Sequence, residues 1–193
     1  MNNSPPKAIL RTQFRAARLA LTASQRAAAA EALCAHLMAR PDLLRNFGQV
    51  AVYLASPLEV DLTPVIERLL ALGQKLVAPR GDGFARLTRI TRLELDARGT
   101  PMPHGEAIRI FEIDLFLVPG VAFTRQGARI GQGGGWYDRA LARKASGALC
   151  IGVAFDQQLA EVLPSEPHDI TMDYVVTPTR LIDCHASAEL HGG

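Results

Sequence analysis

The residues with the clearest potential for chemistry form a glycine-rich segment between Arg129 and Arg139. Four of the five residues at positions 131–135 are glycine, and ordering them costs backbone entropy that folding must offset. A loop of this kind that opens a helix can direct several N–H groups at phosphate oxygens, with added attraction from the helix dipole. The segment matches neither GxGxxG, which would need glycine at position 136, nor the Walker A motif. A flexible surface turn is the alternative interpretation, but the flanking arginines favour a phosphate site.

Two carboxylates are candidates to hold a metal beside such a loop. Asp138 lies where the loop becomes a helix, so it either caps the helix or holds Mg²⁺ against a bound triphosphate. Magnesium is usually bound by one or two carboxylates together with phosphate oxygens. Asp173 precedes the last predicted core strand and would complete the site. From the residues alone, the capping and metal-binding interpretations of Asp138 both stay open.

A row of cations near the amino terminus forms a second candidate surface. Lys7, Arg11, Arg15 and Arg18 recur at helical spacing, about a quarter turn from the apolar stripe of the same helix. Glu31 is the sole carboxylate among the first 41 residues, so these cations have few local partners. They form either a solvated charged face or a set of cations that reaches a phosphate-bearing ligand. RNA binding is a further alternative, which the lack of interleaved aromatic side chains in this helix opposes.

The chain as a whole has the composition of an ordinary globular protein. Its 193 residues include 21 Lys and Arg and 19 Asp and Glu, and the net charge of +2 is well below that of most nucleic-acid-binding domains. Three cysteines without metal-type spacing argue against a zinc site or a disulfide framework. The amino terminus lacks the apolar core of a signal peptide, and no apolar run reaches the ~18 residues that cross a bilayer. We therefore expect a cytoplasmic monomer with small-molecule ligands, which binds neither nucleic acid nor membranes.

The elements that must position these residues alternate between helices and strands. Two helices are predicted over residues 4–40 with a break at 22–25, another over 61–72 that closes at Gly73, and a loop with a helix over 133–145. Short apolar runs predict buried strands at 49–54, 75–79, 114–118, 149–155 and 174–177, a hairpin strand near 84–90 and a partner strand at 180–184.

This alternation predicts an α/β fold. We expect a single three-layer domain over residues 1–193, with a mainly parallel (mixed) central sheet flanked by helices and an N-terminal helical pair. Ligands of such sheets usually bind at the carboxyl ends of the strands. The loops after residues 54, 79, 118 and 155 are therefore the expected rim of the site.

Taken together, these motifs resemble those of the 5-formyltetrahydrofolate cyclo-ligase family, also called methenyltetrahydrofolate synthetases. The most specific is the block GARIGQGGGWYDR at residues 127–139. Supporting motifs lie at residues 118–123, 151–158, 163–164, 168–169 and 173–178, at Lys7 with residues 10–11, and at Tyr53 with residues 59–61. Gln132 and Trp136 depart from the residues that are common in the family. The resemblance spans nearly the whole chain.

The resemblance implies an enzyme that uses ATP and Mg²⁺ to convert 5-formyltetrahydrofolate into 5,10-methenyltetrahydrofolate, with release of ADP and phosphate. In the implied mechanism the formyl oxygen attacks the γ-phosphate, the second folate nitrogen closes the ring, and phosphate departs. The residues that the resemblance assigns to ATP are Lys7, Arg11, Arg129, Ile130, Gly131, Gln132, Gly133, Gly134, Gly135, Trp136 and Tyr137. Those that it assigns to the folate are Ala55, Glu59, Gly133, Gly134, Gly135, Trp136, Tyr137 and Phe155. Arg129, Tyr137 and Asp138 are the implied catalytic residues, and Asp138 and Asp173 are the implied magnesium ligands.

A non-catalytic ATP- or folate-binding protein on the same scaffold is the alternative function. The presence of both Asp138 and Asp173 argues against it, because binding alone does not require a metal site. The sequence has no evident Ser/His/Asp or Cys/His arrangement, which is in keeping with phosphoryl transfer that relies on positioning and charge stabilisation. As isolated aromatic residues, Trp136, Tyr137 and Phe155 would more often belong to the core than to a ligand site.

Overall fold

The computed structural model describes residues 5–44, 47–96 and 99–186. The α-helices among them are α1 (Lys7–Leu19), α2 (Ala23–Met38), α3 (Thr63–Ala71) and α4 (Trp136–Leu141), and 3-10 turns cover Pro41–Leu43, Ile110–Glu112 and Asp156–Gln158. The strands are β1 (Gln49–Ala51), β2 (Lys75–Arg80), β3 (Gly83–Leu87), β4 (Leu93–Leu95), β5 (Pro101–Pro103), β6 (Ala107–Ile108), β7 (Leu115–Pro119), β8 (Ala122–Thr124), β9 (Arg129–Ile130), β10 (Leu149–Val153), β11 (Leu159–Ala160), β12 (Tyr174–Val176) and β13 (Leu181–Asp183).

The central sheet has eight strands in the order β13-β12-β10-β7-β1-β2-β3-β6. The five strands from β12 to β2 are parallel, whereas β13, β3 and β6 pair antiparallel at the two sides. Solved structures of relatives, described below, have the same fold, so the predicted mixed α/β architecture is confirmed. No helix in the described ranges is long and apolar enough to cross a membrane.

Alternating side chains of the strands build two cores, one on each face of the sheet. In β7, Leu115 and Leu117 join the core beneath α2 and α3, while Phe116 and Val118 join the core beneath α4. This two-residue period is expected of strands whose two faces are both covered. The middle layer of the three predicted from the sequence is therefore this sheet.

The predicted break between the first two helices is confirmed in detail. The side chain of Thr22 accepts a hydrogen bond from the Gln25 N–H at 3.2 Å, and the Gln25 side chain accepts one from the Thr22 N–H at 2.8 Å. This reciprocal capping box begins α2 at Ala23. Gly73 adopts a φ of 78° just after α3, which is the left-handed conformation that favours glycine at a helix end.

Several boundaries differ from the predicted ones. The strand predicted over 49–54 ends at Ala51, although the Val52 N–H still donates to the Val77 carbonyl at 2.9 Å. The helix predicted to reach residue 145 ends at Leu141, because the backbone of Arg143 and Lys144 turns in tighter hydrogen bonds to Ala140 and Leu141. Strands β4 and β5 pair antiparallel in a separate two-stranded sheet, inside the stretch where the sequence predicted turns.

A small second sheet, missed by the sequence prediction, connects the core to the glycine-rich segment. It has the order β11-β8-β9, and its strands are two or three residues long. Leu10 of α1 packs with Val121, Ala122 and Ile130 of this region in a separate small core. The first helix is thereby fixed against the strand that leads into the loop.

Candidate active site

The glycine loop, residues 131–135, connects β9 to α4 and has a strained backbone. Gly133 and Gly135 have φ values of 111° and 61°, conformations that side-chain-bearing residues rarely adopt. Gly135 also begins α4 without any side-chain cap. Asp138 therefore does not cap the helix, and the capping interpretation of this carboxylate is wrong.

Two arginines of helix α1 donate hydrogen bonds to carbonyl oxygens of the glycine loop. Arg11 Nε donates to the Gly131 carbonyl at 2.9 Å. One turn further along, Arg15 Nη2 donates to the Gln132 carbonyl at 3.3 Å and to its side-chain oxygen at 2.7 Å. Within the described ranges, the backbone N–H groups of residues 132–135 donate to no protein acceptor. Among the described residues, four of the five loop carbonyls are paired and the N–H groups of residues 132–135 are free, an arrangement suited to an anion.

A buried arginine lies behind the loop. Arg129 is 7% exposed, and its Nη2 donates to Asp138 Oδ1 at 2.5 Å. Its Nε has no hydrogen-bond partner in the described part of the chain, and its guanidinium lies 5.9 Å from the centre of the Tyr137 ring. Burial, with a smaller contribution from the nearby Glu59 carboxylate, raises the pKa of Tyr137 well above its usual range. Tyr137 is therefore a neutral hydroxyl at physiological pH.

The Glu59 loop, residues 54–60, follows β1 at the carboxyl end of the sheet. Glu59 Oε2 accepts hydrogen bonds from both the backbone N–H and the hydroxyl of Ser56, each at 2.9 Å. Its Oε1 accepts none among the described residues. Ala55 and Glu59 line an open cavity of about 380 Å³ together with Arg26 and Asp61. The two residues that the resemblance assigns to the folate after β1 therefore share one groove.

The aromatic pair at the start of α4 lies against β3, because the centre of the Trp136 ring is 5.4 Å from the centre of the Phe84 ring in that strand. Trp136 Nε1 donates to the Gly81 carbonyl at 2.8 Å, and the rings of Trp136 and Tyr137 meet edge to face at 4.8 Å. Both residues are half-buried. Phe155 differs, since it is 1% exposed within the core, and its assignment to the folate stays a prediction that its burial does not support.

Lys7 forms ion pairs with two acidic residues of the segment between β11 and β12. Its Nζ lies 2.8 Å from Asp169 Oδ2 and 3.0 Å from Glu166 Oε2. Burial lowers the pKa of Lys7, but its hydrogen bonds to Asp169 and Glu166 raise the pKa by more. Glu166 and Asp169, with His168, are the one group of three possible metal ligands in the described ranges. The sequence prediction missed these partners, because 159 or more residues separate them from Lys7.

The second implied magnesium ligand has hydrogen-bond partners of its own. Asp173 precedes β12, where its Oδ2 accepts the Cys150 N–H at 2.7 Å and its Oδ1 lies 3.1 Å from His185 Nε2. A metal site that contains both carboxylates stays a prediction.

Comparisons with known proteins give this geometry a context. A sequence profile of the 5-formyltetrahydrofolate cyclo-ligase family matches residues 3–178. The 5-formyltetrahydrofolate cyclo-ligase of Mycolicibacterium smegmatis is 36% identical over 143 residues, which cover 68% of this chain and 74% of that protein. The Escherichia coli K12 protein of the same name is 29% identical over 179 residues, or 87% of this chain and 98% of its own.

Solved structures agree with the sequence comparisons. The NMR structure of Aquifex aeolicus 5,10-methenyltetrahydrofolate synthetase is 33% identical, covers 92% of each chain and superimposes with a TM-score of 0.81. A Mycoplasma pneumoniae protein of the same name has a TM-score of 0.73 at 24% identity, with coverage of 90% of this chain and 99% of its own. At that identity the second likeness shows the fold alone.

Proposed function

The chain belongs to the 5-formyltetrahydrofolate cyclo-ligase family, and we propose on this basis that it converts 5-formyltetrahydrofolate into 5,10-methenyltetrahydrofolate at the expense of ATP. The sequence relatives bear the name of this ligase activity, and the Aquifex neighbour bears the name of the product-forming synthetase. The observation that carries the proposal is the glycine loop with its unpaired N–H groups beside Arg11, Arg15 and Arg129.

The phosphates of ATP are assigned to this loop. The four free N–H groups at residues 132–135 are donors suited to phosphate oxygens, and the loop itself carries no carboxylate. Arg11 and Arg15 already contact the loop, so their remaining N–H groups are close to any bound phosphate. Lys7 lies at the start of the same helix, and we assign it to ATP, as the resemblance implies.

The folate is assigned to the groove of the Glu59 loop. Glu59 Oε1 is an unpaired acceptor at the rim of the 380 Å³ cavity, which is within the size range of small-molecule sites. Tyr137 connects the two halves of the site, because it borders the glycine loop and interacts electrostatically with Glu59. Ala55 lines the same cavity, and the resemblance also assigns the Trp136 ring to the folate.

Magnesium fits one of the two implied carboxylates. Asp138 Oδ2 accepts no hydrogen bond among the described residues and belongs to the helix that follows the glycine loop, so it would hold Mg²⁺ together with phosphate oxygens. Asp173 is occupied by the Cys150 N–H and by His185. When bound, the metal would neutralise phosphate charge. Arg129 meanwhile fixes the orientation of the Asp138 carboxylate.

The side chains of the site are suited to positioning rather than to covalent catalysis. Burial raises the pKa of the Cys150 and Cys184 thiols to about 12, so neither is a thiolate at neutral pH. In the proposed reaction the formyl oxygen bonds to the γ-phosphorus as the bond to ADP breaks. N10 then adds to the formyl carbon, and loss of phosphate and of the N10 proton leaves the methenyl product. The protein would bind both substrates in line and stabilise the phosphoryl charge.

A turnover assay tests the proposal. Purified protein is mixed with ATP, Mg²⁺ and 5-formyltetrahydrofolate, and the methenyl chromophore and ADP are followed together. We expect equal amounts of both products, with neither formed when ATP or the protein is omitted. Binding of ATP or folate without release of ADP would instead support the alternative of a non-catalytic binding protein. The single domain, the monomeric state and the cytoplasmic location predicted from the sequence stay predictions, and size-exclusion chromatography tests the second.

A further inference from the structure

Arg18 has an environment unlike that of the other cations of α1. It is 1% exposed, and its Nε and Nη1 have no hydrogen-bond partner in the described ranges. A buried charge without a partner costs several kcal/mol, so stability alone gives no reason for an arginine here. A residue that weakens the fold in this way is a candidate for a functional role.

The groups around Arg18 leave one acceptor available. The pKa of Arg18 is lowered, mainly because the side chain is buried, and the Arg15 charge lowers it further. The Glu59 carboxylate and, to a smaller extent, Tyr53 act in the opposite direction and raise the pKa. The Tyr53 hydroxyl already donates to the Val60 carbonyl at 2.9 Å, and Arg15 is bonded to Gln132. Glu59 Oε2 is occupied by Ser56. What remains is the unpaired Oε1 of Glu59, a negative acceptor whose carboxylate interacts electrostatically with the Arg18 guanidinium.

This pair selects a particular kind of ligand. An anion attracted to Arg18 would be repelled by Glu59, and a cation attracted to Glu59 would be repelled by Arg18. A neutral group with N–H donors next to a carbonyl acceptor satisfies both side chains. The pyrimidine part of a pterin has this pattern, since its 2-amino group and N3–H lie beside the 4-oxo oxygen. We propose that Arg18 is a specificity-determining residue that donates to the pterin 4-oxo oxygen while Glu59 accepts from the 2-amino group and N3–H.

The inference rests on the proposed function, because it assumes that the folate enters the groove of the Glu59 loop. Contact with the ring requires neighbouring side chains to shift, since Arg18 is covered in the free protein. Such side-chain rearrangements at binding surfaces are common.

The variant Arg18→Met tests the assignment by calorimetric titration. It replaces the unpaired charge with an apolar chain, so the midpoint of thermal unfolding should stay equal or rise. The Kd for 5-formyltetrahydrofolate, measured without nucleotide, should rise about 10- to 100-fold, since a hydrogen bond to a charged donor is lost. The Kd for Mg²⁺ with a non-hydrolysable ATP analogue should stay within about twofold. Arg109→Met is the matched control for the substitution, because Arg109 is exposed and contacts Glu112 and the Phe111 ring at the surface.

A second ligand identifies the atom that Arg18 contacts. The 4-amino analogue of 5-formyltetrahydrofolate presents a donor where the substrate presents its 4-oxo acceptor. The wild-type protein should bind the 4-oxo compound at least about tenfold more tightly, and Arg18→Met should lose that preference. If Arg18→Met does not fold, Arg18→Lys provides the same comparison with the positive charge retained, and it should show a reduced preference.

Three results would overturn the proposal. One is an unchanged Kd for 5-formyltetrahydrofolate in a folded variant, and another is an equal loss for the 4-oxo and 4-amino compounds. The third is a lower unfolding midpoint with both substrates weakened alike, which a purely structural arginine would give. Turnover by the wild-type protein separates the proposed role of Arg18 from the proposed enzymatic function. If it is normal, these results refute only the role of Arg18; if it is absent, the proposed function itself fails.

Discussion

The Glu59 loop follows a parallel strand of the central sheet, whereas the glycine loop follows β9 of the small second sheet, and the two loops use opposite chemistry. In the glycine loop the carbonyls of Gly131 and Gln132 are paired with arginines, and the backbone donors stay free. In the Glu59 loop the donors of Ser56 are paired, and a carboxylate oxygen stays free. One loop therefore offers donors to an anion, and the other offers an acceptor to a neutral ring.

Helix α1 relates the two loops to each other. Arg11 and Arg15 bond to the glycine loop, while Arg18, one turn further on, interacts electrostatically with Glu59. Since one rigid helix carries all three, its position sets the distance between the two binding regions. Fixing two substrates in register is the main contribution that a protein can make to a phosphoryl transfer.

The largest expected effect comes from the carboxylate on the phosphate side. Asp138→Asn should lower kcat by about 10²- to 10³-fold, as loss of one charge-stabilising group typically does. The amide oxygen can still accept from Arg129, so the free energy of unfolding should fall by no more than about 2 kcal/mol. Steady-state kinetics and urea unfolding measure the two quantities. Asp42→Asn, at an exposed carboxylate paired with Arg40, is the control. A variant with normal kcat would remove Asp138 from the mechanism.

On the folate side, Glu59→Gln should act on one substrate only. The amide keeps a hydrogen bond with Ser56 but loses the charge that attracts ring donors, so the KM for 5-formyltetrahydrofolate should rise about 10- to 100-fold. The KM for ATP should change by less than about threefold. Glu31→Gln, at an exposed position on α2, provides the matched control. Equal increases in both KM values would mean that the two loops do not bind separate substrates.

The reciprocal change on the phosphate side is Arg11→Ala. It removes the donor to the Gly131 carbonyl and one positive charge, so the KM for ATP should rise about tenfold while that for the folate stays nearly constant. Initial rates at varied ATP measure it, with Arg109→Ala as the control. A larger effect on the folate KM than on the ATP KM would reverse the assignment of the two loops.

The fold and part of the site were predictable because they depend on local pattern. The apolar period of β7, the capping signal at Thr22 and the stop at Gly73 each act within a few residues. The contact of α1 with the loop was predicted only as one of two interpretations, since a helical charge stripe looks the same when solvated. The partner of Arg129 was not predictable, because it depends on how α4 turns after Gly135.

What the sequence could not indicate is which cation has which partner. Lys7, Arg11, Arg15 and Arg18 lie at similar spacing on one helix. In the structure the first is paired with acids, the next two bond to the loop, and the last is buried. For Lys7, Arg11 and Arg15 these differences arise from tertiary contacts more than a hundred residues away in the sequence, which no local pattern records.

The smallest expected effect concerns the ion pair that holds the start of α1, outside both loops. Burial raises the pKa of Asp169, but hydrogen bonds from Lys7 and the Glu166 N–H lower it by more, to below its ordinary 3.8. Stability from this carboxylate is therefore fully present above pH 3.8 and is lost as pH falls through the folded-state pKa. The pKa of Lys7 is raised, so its contribution is fully present below pH 10.5.

Within that window, Asp169→Asn should lower the free energy of unfolding by about 1 kcal/mol at pH 7, because the pair is only partly buried. Urea unfolding at pH 7 and at pH 3 should show the difference from wild type shrinking at the lower pH. Glu166→Gln, which removes the more exposed partner of the same lysine, should have the smaller effect. An equal loss at both pH values would show that the contribution of Asp169 does not depend on its charge, and the ion pair with Lys7 would then add nothing measurable to stability.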